Sequence, residues 1–272
     1  MNFDPDHRHE PPPSAFARYI GVRYTGAETA ASGLKGLRVY SATADSAACE
    51  VTTTSAVKRC WTRQDIAHWL AERLAEGIPT IVGIDHPFSF PLRYFEFHQL
   101  PPDWPTFMED FQRHWRTDAP HTYVDFALEC ADGKGADRMG SPQWLRLTEQ
   151  RSRPARSVFQ FEGPGSRAKA AHAGIPWLLY LHRQRIPGLH FWPFDGWRIP
   201  LGYSAVVEVS AARWRDAWPA QERSTDQQNA YAIATWLREA DGSGLLAQCL
   251  EPGITERERI YGEVEGWILG VG

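Results

Sequence analysis

The pattern that most restricts how this chain can fold is an amphipathic helix followed at once by a short apolar run. Residues 61–77 (WTRQDIAHWLAERLAEG) place Thr62 as the N-cap, several apolar side chains on one face and Gly77 as the terminator. The run TIVGI follows at 80–84 and leads into Asp85. Because a helical crossover joins parallel strands and is right-handed, the pattern predicts an α/β domain in which this run is parallel to an earlier strand.

Three strand patterns precede that helix, and one more follows much later. Residues 16–24, 36–44 and 49–57 are separated by short turn-forming segments, which predicts an antiparallel meander. Residues 205–210 (AVVEVS) predict the last strand. Together with TIVGI, the sequence predicts a mixed sheet of five strands flanked by helices.

Helical patterns occupy much of the remaining chain. They lie at 170–184, 225–240 and 255–269, and near 104–116, 120–130 and 142–151. The last three fall in a stretch rich in Pro and aromatic residues, which we interpret as a helical insertion at about 92–160. Since 43% of the 272 residues are hydrophobic, we expect one large domain over 16–272, preceded by a loose, proline-rich tail over 1–15.

Composition excludes few classes of function. The net charge of −4 gives no overall attraction to nucleic acid, so binding of a polyanion would need a local basic patch. Cys49, Cys60, Cys130 and Cys249 lack the paired spacing of a zinc site and fit reduced thiols in a cytoplasmic protein. No apolar run approaches the roughly 20 residues of a membrane span, so we expect no membrane partner.

Polar side chains at strand ends are the first candidates for function. Arg23 ends the first strand, Asp85 follows TIVGI, Glu208 lies in the last strand, and Asp226 and Asn229 lie at the start of the helix after it. Side chains at such positions commonly face a ligand crevice. Two of the acids also have ordinary structural roles open to them: Asp85 can cap a turn, and Asp226 can interact with the helix dipole. A buried Glu208 would need a partner, and Arg23 is the candidate.

A second candidate is the glycine-rich segment GPGSRAKAAH, which places backbone N–H groups and positive charge before a helix. This arrangement is typical of an anion cradle, although similar turns also occur without a ligand. The residues that supply these groups are Gly163, Gly165, Ser166, Arg167, Lys169 and His172, and the candidate ligand-binding residues among them are Gly165, Ser166, Lys169 and His172. The aromatic stretch HFWPFDGW, by contrast, is interpreted as core and loop packing rather than as a platform for base stacking.

Three strands, a helix, a strand and, later, a strand and a helix follow the order of the ribonuclease H-like fold. Seven segments in sequence also resemble the domain of unknown function 429 family, whose members have that fold and are described as predicted nucleases. The segments are YIGVRYTGA with GLKGLRVYSA, VGIDHPFSFPLRYFE, SVFQFEGPGSRAKAAHAGIPWL, HFWPFDGW, VVEVSAARW, DQQNAYAIATWL and EGWILGV.

The resemblance implies a metal-dependent site. Asp85, Glu208 and Asp226 would be its catalytic acids and would hold Mg²⁺ or Mn²⁺, since hard cations take oxygen ligands. In such a site two divalent cations flank the scissile phosphodiester. The resemblance also supports ligand contacts from Gly165, Ser166, Lys169 and His172.

Two positions depart from the family pattern. Arg23 stands where the first strand usually carries Asp, and Asn229 stands where the helix usually reads Asp-Ala-Tyr. At about 4 Å and an effective dielectric constant near 20, each charge pair is worth about 4 kcal/mol. Arg23 should therefore repel a cation and pair with Asp85 or Glu208, and we expect metal binding to be weakened or lost.

Three functional hypotheses follow. The leading one is a nuclease-related protein with a partly degraded acidic site that binds a phosphate-bearing ligand or nucleic acid, with weak or no hydrolysis, through Arg23, Asn229 and the glycine-rich segment. The alternative is an active metal-dependent phosphodiesterase that uses Asp85, Glu208 and Asp226. The third is a structural or interaction protein without catalysis.

Overall fold

The computed structural model describes residues 15–53, 59–129, 138–152, 155–163 and 166–272. These residues form a mixed six-stranded sheet flanked by helices, in strand order β3-β2-β1-β4-β6-β5. The strands are β1 (Arg18–Arg23), β2 (Arg38–Thr43), β3 (Cys49–Val51), β4 (Thr80–Ile84), β5 (Leu189–Trp192) and β6 (Ser204–Glu208). The prediction of an α/β fold with a mixed sheet is confirmed.

The helices of the described residues pack on both faces of this sheet. They are α1 (Arg63–Leu74), α2 (Leu92–Phe97), α3 (Trp104–Trp115), α4 (Val124–Glu129), α5 (Leu147–Arg151), α6 (Arg167–Arg183), α7 (Thr225–Gly242), α8 (Leu245–Leu250) and α9 (Glu256–Glu265). Two short 3-10 turns, Ala211–Arg213 and Arg215–Ala217, follow β6.

Strand pairing follows the predicted arrangement in the first half of the chain. β1 pairs antiparallel with β2, and β2 pairs antiparallel with β3. β4 pairs parallel with β1, as the crossover through α1 requires. Helix α1 begins after its N-cap Thr62, whose hydroxyl oxygen accepts a hydrogen bond of 2.9 Å from the backbone N–H of Asp65, as predicted.

The prediction of five strands is wrong, because a sixth strand lies at the edge of the sheet. β5 falls within HFWPFDGW, interpreted above as core and loop packing, and it pairs parallel with β6. Phe191 packs in the core on one face of the sheet and Trp192 in the core on the other, so this short strand contributes to both. A four-residue segment with aromatic side chains on both faces lacks the alternation of apolar and polar residues that distinguishes a strand from a packed loop in the sequence.

Alternating side chains of the central strands build one core on each face. Ile20 and Val22 pack in a core with α1 and α6, whereas Tyr19 packs in a second core with α7. Gly21 faces α7 and lets the helix approach closely, since a Cβ atom at that position would lie 2.3 Å from the carbonyl oxygen of Ala230. This contact places the start of α7 beside the end of β1.

Several predicted boundaries and elements differ from the structure. The strand predicted at 49–57 ends at Val51, and residues 54–58 lie outside the described residues, as do residues 1–14 of the predicted tail. α6 begins at Arg167 rather than at 170 and continues through Pro176. The helices predicted near 120–130 and 142–151 are short in the structure, and α2 and α8 had no counterpart in the prediction.

Two expectations from composition concern thiols and membranes. Cys49, Cys60 and Cys249 are free thiols, and Cys130 lies outside the described residues. In the described part of the chain, every helix is too short or too polar to cross a membrane.

Candidate functional site

Three of the five predicted strand-end and helix-start residues line one cleft, and Glu208 and Asp226 are not among its lining residues. Arg23 ends β1, Asp85 directly follows β4, and Asn229 lies on the first turns of α7. All three line a cleft with a volume of about 660 Å³ at the carboxyl ends of the parallel strands. The cleft forms there because β1, β4 and β6 end side by side and the two 3-10 turns and α7 rise beyond them.

Arg23 joins two of the predicted acids. Its Nη1 lies 2.8 Å from Asp85 Oδ2, and its Nε lies 3.0 Å from Asp226 Oδ1. Although burial disfavours the charged guanidinium, Asp85 and Asp226 hold the pKa of Arg23 above its ordinary value. The predicted pairing of Arg23 with Asp85 is confirmed.

The second oxygen of Asp85 is engaged as well. Asp85 Oδ1 accepts a hydrogen bond from the backbone N–H of Ala211 at 3.2 Å and lies 3.4 Å from Arg167 Nη1. Asp85 is almost fully buried. Its carboxylate is therefore compensated inside the protein by two guanidinium groups.

The expected pairing of Glu208 with Arg23 is wrong, because the partner of Glu208 is Arg146. The fully buried Arg146 donates from Nη1 and Nη2 to the two carboxylate oxygens of Glu208, both at 2.7 Å. Glu208 also accepts from the backbone N–H of Phe88 at 3.1 Å and lies 3.3 Å from Arg167 Nη2. Arg146 comes from the segment just before α5, a region distant in sequence from both β1 and β6.

Arg146 also bonds to two further glutamates, one through its carboxylate and one through its backbone carbonyl oxygen. Its Nε donates to Glu149 at 3.0 Å, and its Nη1 donates to the backbone carbonyl oxygen of Glu265 at 3.1 Å. Burial raises the pKa of Glu149, with Arg146 opposing that effect, and burial raises the pKa of Glu265. The Glu265 carboxylate accepts backbone N–H bonds from Leu92 and Leu147, so the network links α2, α5 and α9 to β6.

Asp226 and Asn229 differ in their surroundings. The Asp226 side chain is more than one third exposed and bonds to Arg23. Asn229 is only 7% exposed, and its Oδ1 is buried with no hydrogen-bond partner in the described part of the protein. Such an atom is uncommon in a folded protein and calls for a ligand or solvent partner.

The acids do not fit a divalent cation. Both oxygens of Glu208 are bonded to Arg146, and both oxygens of Asp85 face guanidinium nitrogens. A cation placed between these acids would meet the positive charges of Arg23, Arg146 and Arg167 instead of free oxygen ligands. Across the described residues, no group of three or more His, Cys, Asp and Glu side chains is arranged to hold a metal ion.

The glycine-rich segment contributes little to the cleft. Gly165 lies outside the described residues. Ser166 is the N-cap of α6, since its Oγ accepts from the backbone N–H of Lys169, and Lys169 Nζ lies 2.5 Å from Asp125 Oδ1. From this segment, Arg167 is the residue that lines the cleft.

His172 is placed in the core rather than on a surface. It is fully buried, and its ring contacts the rings of Phe90, Phe111, Trp115 and Phe161. Its Nδ1–H donates to the carbonyl oxygen of Ala168 at 2.8 Å. Burial lowers the pKa of His172 to about 3, so the ring is neutral at physiological pH. A neutral, enclosed imidazole cannot contact a ligand in the cleft.

Arginine is the residue type that dominates the cleft. Five arginines line it, together with the acids Asp85 and Glu149: Arg23, Arg156, Arg167, Arg213 and Arg215. Arg156 makes no ion pair within the described residues, and Arg213 bonds there to the carbonyl oxygen of Gly270 rather than to a carboxylate. Sequence reasoning did not assign Arg156 or Arg213, although RSRPARS and ARWRD are short basic clusters that could have pointed to them.

No protein-family model matches this chain, and neither a curated protein nor a solved structure matches it.

Proposed function

We propose that this chain is a ribonuclease H-like, nuclease-related protein of the domain of unknown function 429 family that binds a phosphate-bearing ligand without hydrolysing it. The strand arrangement supports the fold assignment. β1 pairs antiparallel with β2 and parallel with β4, and β4 pairs parallel with β6, so the strands whose order the resemblance gives are neighbours in one sheet. β5 is then an addition at the edge beyond β6.

The observation that carries the functional proposal is the pair Arg156 and Arg213. Both line the cleft, both are exposed, and neither has a carboxylate partner among the described residues. The guanidinium group matches phosphate oxygens through two parallel N–H bonds and stays charged at any physiological pH. Because Arg23, Arg146 and Arg167 compensate the nearby acids, those acids do not cancel the attraction of a phosphate to Arg156 and Arg213.

The ion pairs between the buried acids and their arginines argue against hydrolysis. The phosphodiesterase alternative requires Asp85, Glu208 and Asp226 to hold a cation, and the oxygens of the first two are bonded to arginine. We therefore expect no cleavage of bis(4-nitrophenyl) phosphate in the presence of Mn²⁺. Mn²⁺-dependent release of nitrophenol that disappears in Asp85→Asn would favour the alternative instead.

Calorimetric titration with inorganic pyrophosphate at near-physiological salt tests the binding. The double variant Arg156→Gln, Arg213→Gln should bind more than tenfold more weakly, because a hydrogen bond to a charged group contributes about 1.5–3 kcal/mol. The matched control is Arg183→Gln, Arg198→Gln, which removes the same charge from two exposed arginines outside the cleft. Failure of the unaltered chain to bind, or an equal loss in the control, contradicts the proposal.

A further inference from the structure

The Asn229 side chain gives information about the ligand beyond its phosphate groups. This inference rests on the function proposed above, because it concerns the same cleft. Asn229 lines the cleft from α7, while Arg156 and Arg213, which have no carboxylate partner among the described residues, line it from other segments. A ligand held by those arginines would therefore occupy a space that Asn229 also faces.

Asn229 Oδ1 needs a hydrogen-bond donor. The atom is buried, and among the described residues nothing donates to it. The neighbouring cation Arg23 directs its Nη1 and Nε toward Asp85 and Asp226 instead. A buried carbonyl oxygen without a donor is unfavourable in the free protein, so a ligand that supplies a donor gains affinity at this position.

A phosphate group cannot be that donor. Ionised phosphate oxygens accept hydrogen bonds, as Asn229 Oδ1 does, so the donor must come from another part of the ligand. A neutral amide has a further advantage over a carboxylate here, because it accepts a hydrogen bond without repelling the phosphate charge. Ser210 and Thr225 also line the cleft, and a side-chain hydroxyl group can both donate to and accept from a ligand hydroxyl.

The size of the cleft limits the ligand class. A volume of about 660 Å³ lies within the range of roughly 300–1,000 Å³ that is usual for small-molecule sites. We propose that the ligand is a small phosphate ester that carries hydroxyl groups, and that one of these hydroxyls donates a hydrogen bond to Asn229 Oδ1. A sugar phosphate and a nucleotide share this chemistry.

Two pairs of probes test this proposal by calorimetry. Fructose 1,6-bisphosphate is compared with 1,6-hexanediol bisphosphate, which keeps two phosphates but has no hydroxyl group. Adenosine diphosphate is compared with its 2′,3′-dideoxy analogue. In the pair that binds more tightly, the unaltered chain should prefer the hydroxyl-bearing probe by about tenfold, the effect of one hydrogen bond. The tighter pair also distinguishes a sugar phosphate from a nucleotide.

Variants then assign that preference to Asn229. In Asn229→Leu, and in Asn229→Ala if the former does not fold, the ratio of the two affinities should fall toward one. The matched control Gln184→Leu, at the far end of α6 from Arg167, should keep the ratio of the unaltered chain. A residue with only a structural role would weaken both probes of a pair equally and leave the ratio unchanged.

The outcomes separate this inference from the function on which it rests. Equal binding of both probes by the unaltered chain, or a ratio that survives in the Asn229 variants, overturns the inference and leaves phosphate binding standing. Absence of binding for pyrophosphate and for all four probes overturns both.

Discussion

Replacing Arg146 should be the most damaging single change near the cleft. The side chain is fully buried and bonds to Glu208 and Glu149, which are almost as deeply buried. Arg146→Met keeps a similar volume but leaves two buried carboxylates without their main cation. Removing one partner of a buried ion pair costs about 3–5 kcal/mol, compared with a total stability of about 5–15 kcal/mol for a typical domain.

Urea denaturation followed by tryptophan fluorescence at pH 7 measures that cost. The control is Arg38→Met, which removes an arginine from a partly exposed pair with Glu50 and should cost less than about 1 kcal/mol. The double variant Arg146→Met, Glu208→Gln should be more stable than the sum of its single changes predicts, because it no longer buries an unpaired charge at Glu208. Equal losses in Arg146→Met and Arg38→Met would refute this account of the network.

The pH dependence of the Arg146→Met effect has a defined sign. Burial raises the pKa of Glu149 and Arg146 opposes the rise, so removing Arg146 raises that pKa further. In the folded variant, Glu149 then keeps its proton at pH values above 4.5, whereas in the unfolded chain it loses that proton near its ordinary pKa of 4.5. Its stability should therefore fall relative to the unaltered chain as the pH rises above 4.5. A difference that instead grows toward acid pH would contradict the reasoning.

Three further changes give independent tests. Arg23→Asp removes the guanidinium from Asp85 and adds oxygen ligands, so calorimetry should detect Mn²⁺ binding in the variant alone; saturable binding by the unaltered chain would refute this. Burial lowers the pKa of His172 to about 3, so acidification from pH 6.5 to 5 should cost about 2 kcal/mol through this group. His172→Phe should remove that part of the loss in urea titrations at the two pH values, and an unchanged loss would count against it. Gly21→Ala should lower Tm and cost about 1–3 kcal/mol or more, because its Cβ would lie 2.3 Å from the carbonyl oxygen of Ala230; an unchanged Tm would contradict the packing argument.

Much of the central sheet could be predicted because its signals are local. β4 is a short apolar run directly after a capped amphipathic helix, and the crossover rule then gives its direction relative to β1. Once these strands were placed, the positions of Arg23 and Asp85 at their ends followed. The edge strand β5 could not be predicted in the same way, because it has only four residues and they do not alternate between apolar and polar.

Side chains that act over long sequence separations were less predictable. Arg146 and Glu208 lie 62 positions apart, and nothing in the local pattern of either segment indicates the other. His172 is different, because a usable signal was present. It shares a helical face with Ile175 and Leu179, at spacings of three and four residues, and that periodicity indicates burial better than the preceding glycines indicate a ligand contact.

Two groups of arginines near the cleft are therefore distinct: those bonded to buried carboxylates and those without a carboxylate partner among the described residues. Asp85 and Glu208 are buried, so each needs a positive charge close by, and that charge comes from Arg23, Arg146 and Arg167. An arginine already bonded to a carboxylate has less attraction left for an anion. Binding of a phosphate group should consequently depend on the arginines that the acids do not occupy, and loss of an internal pair should reduce stability more than affinity.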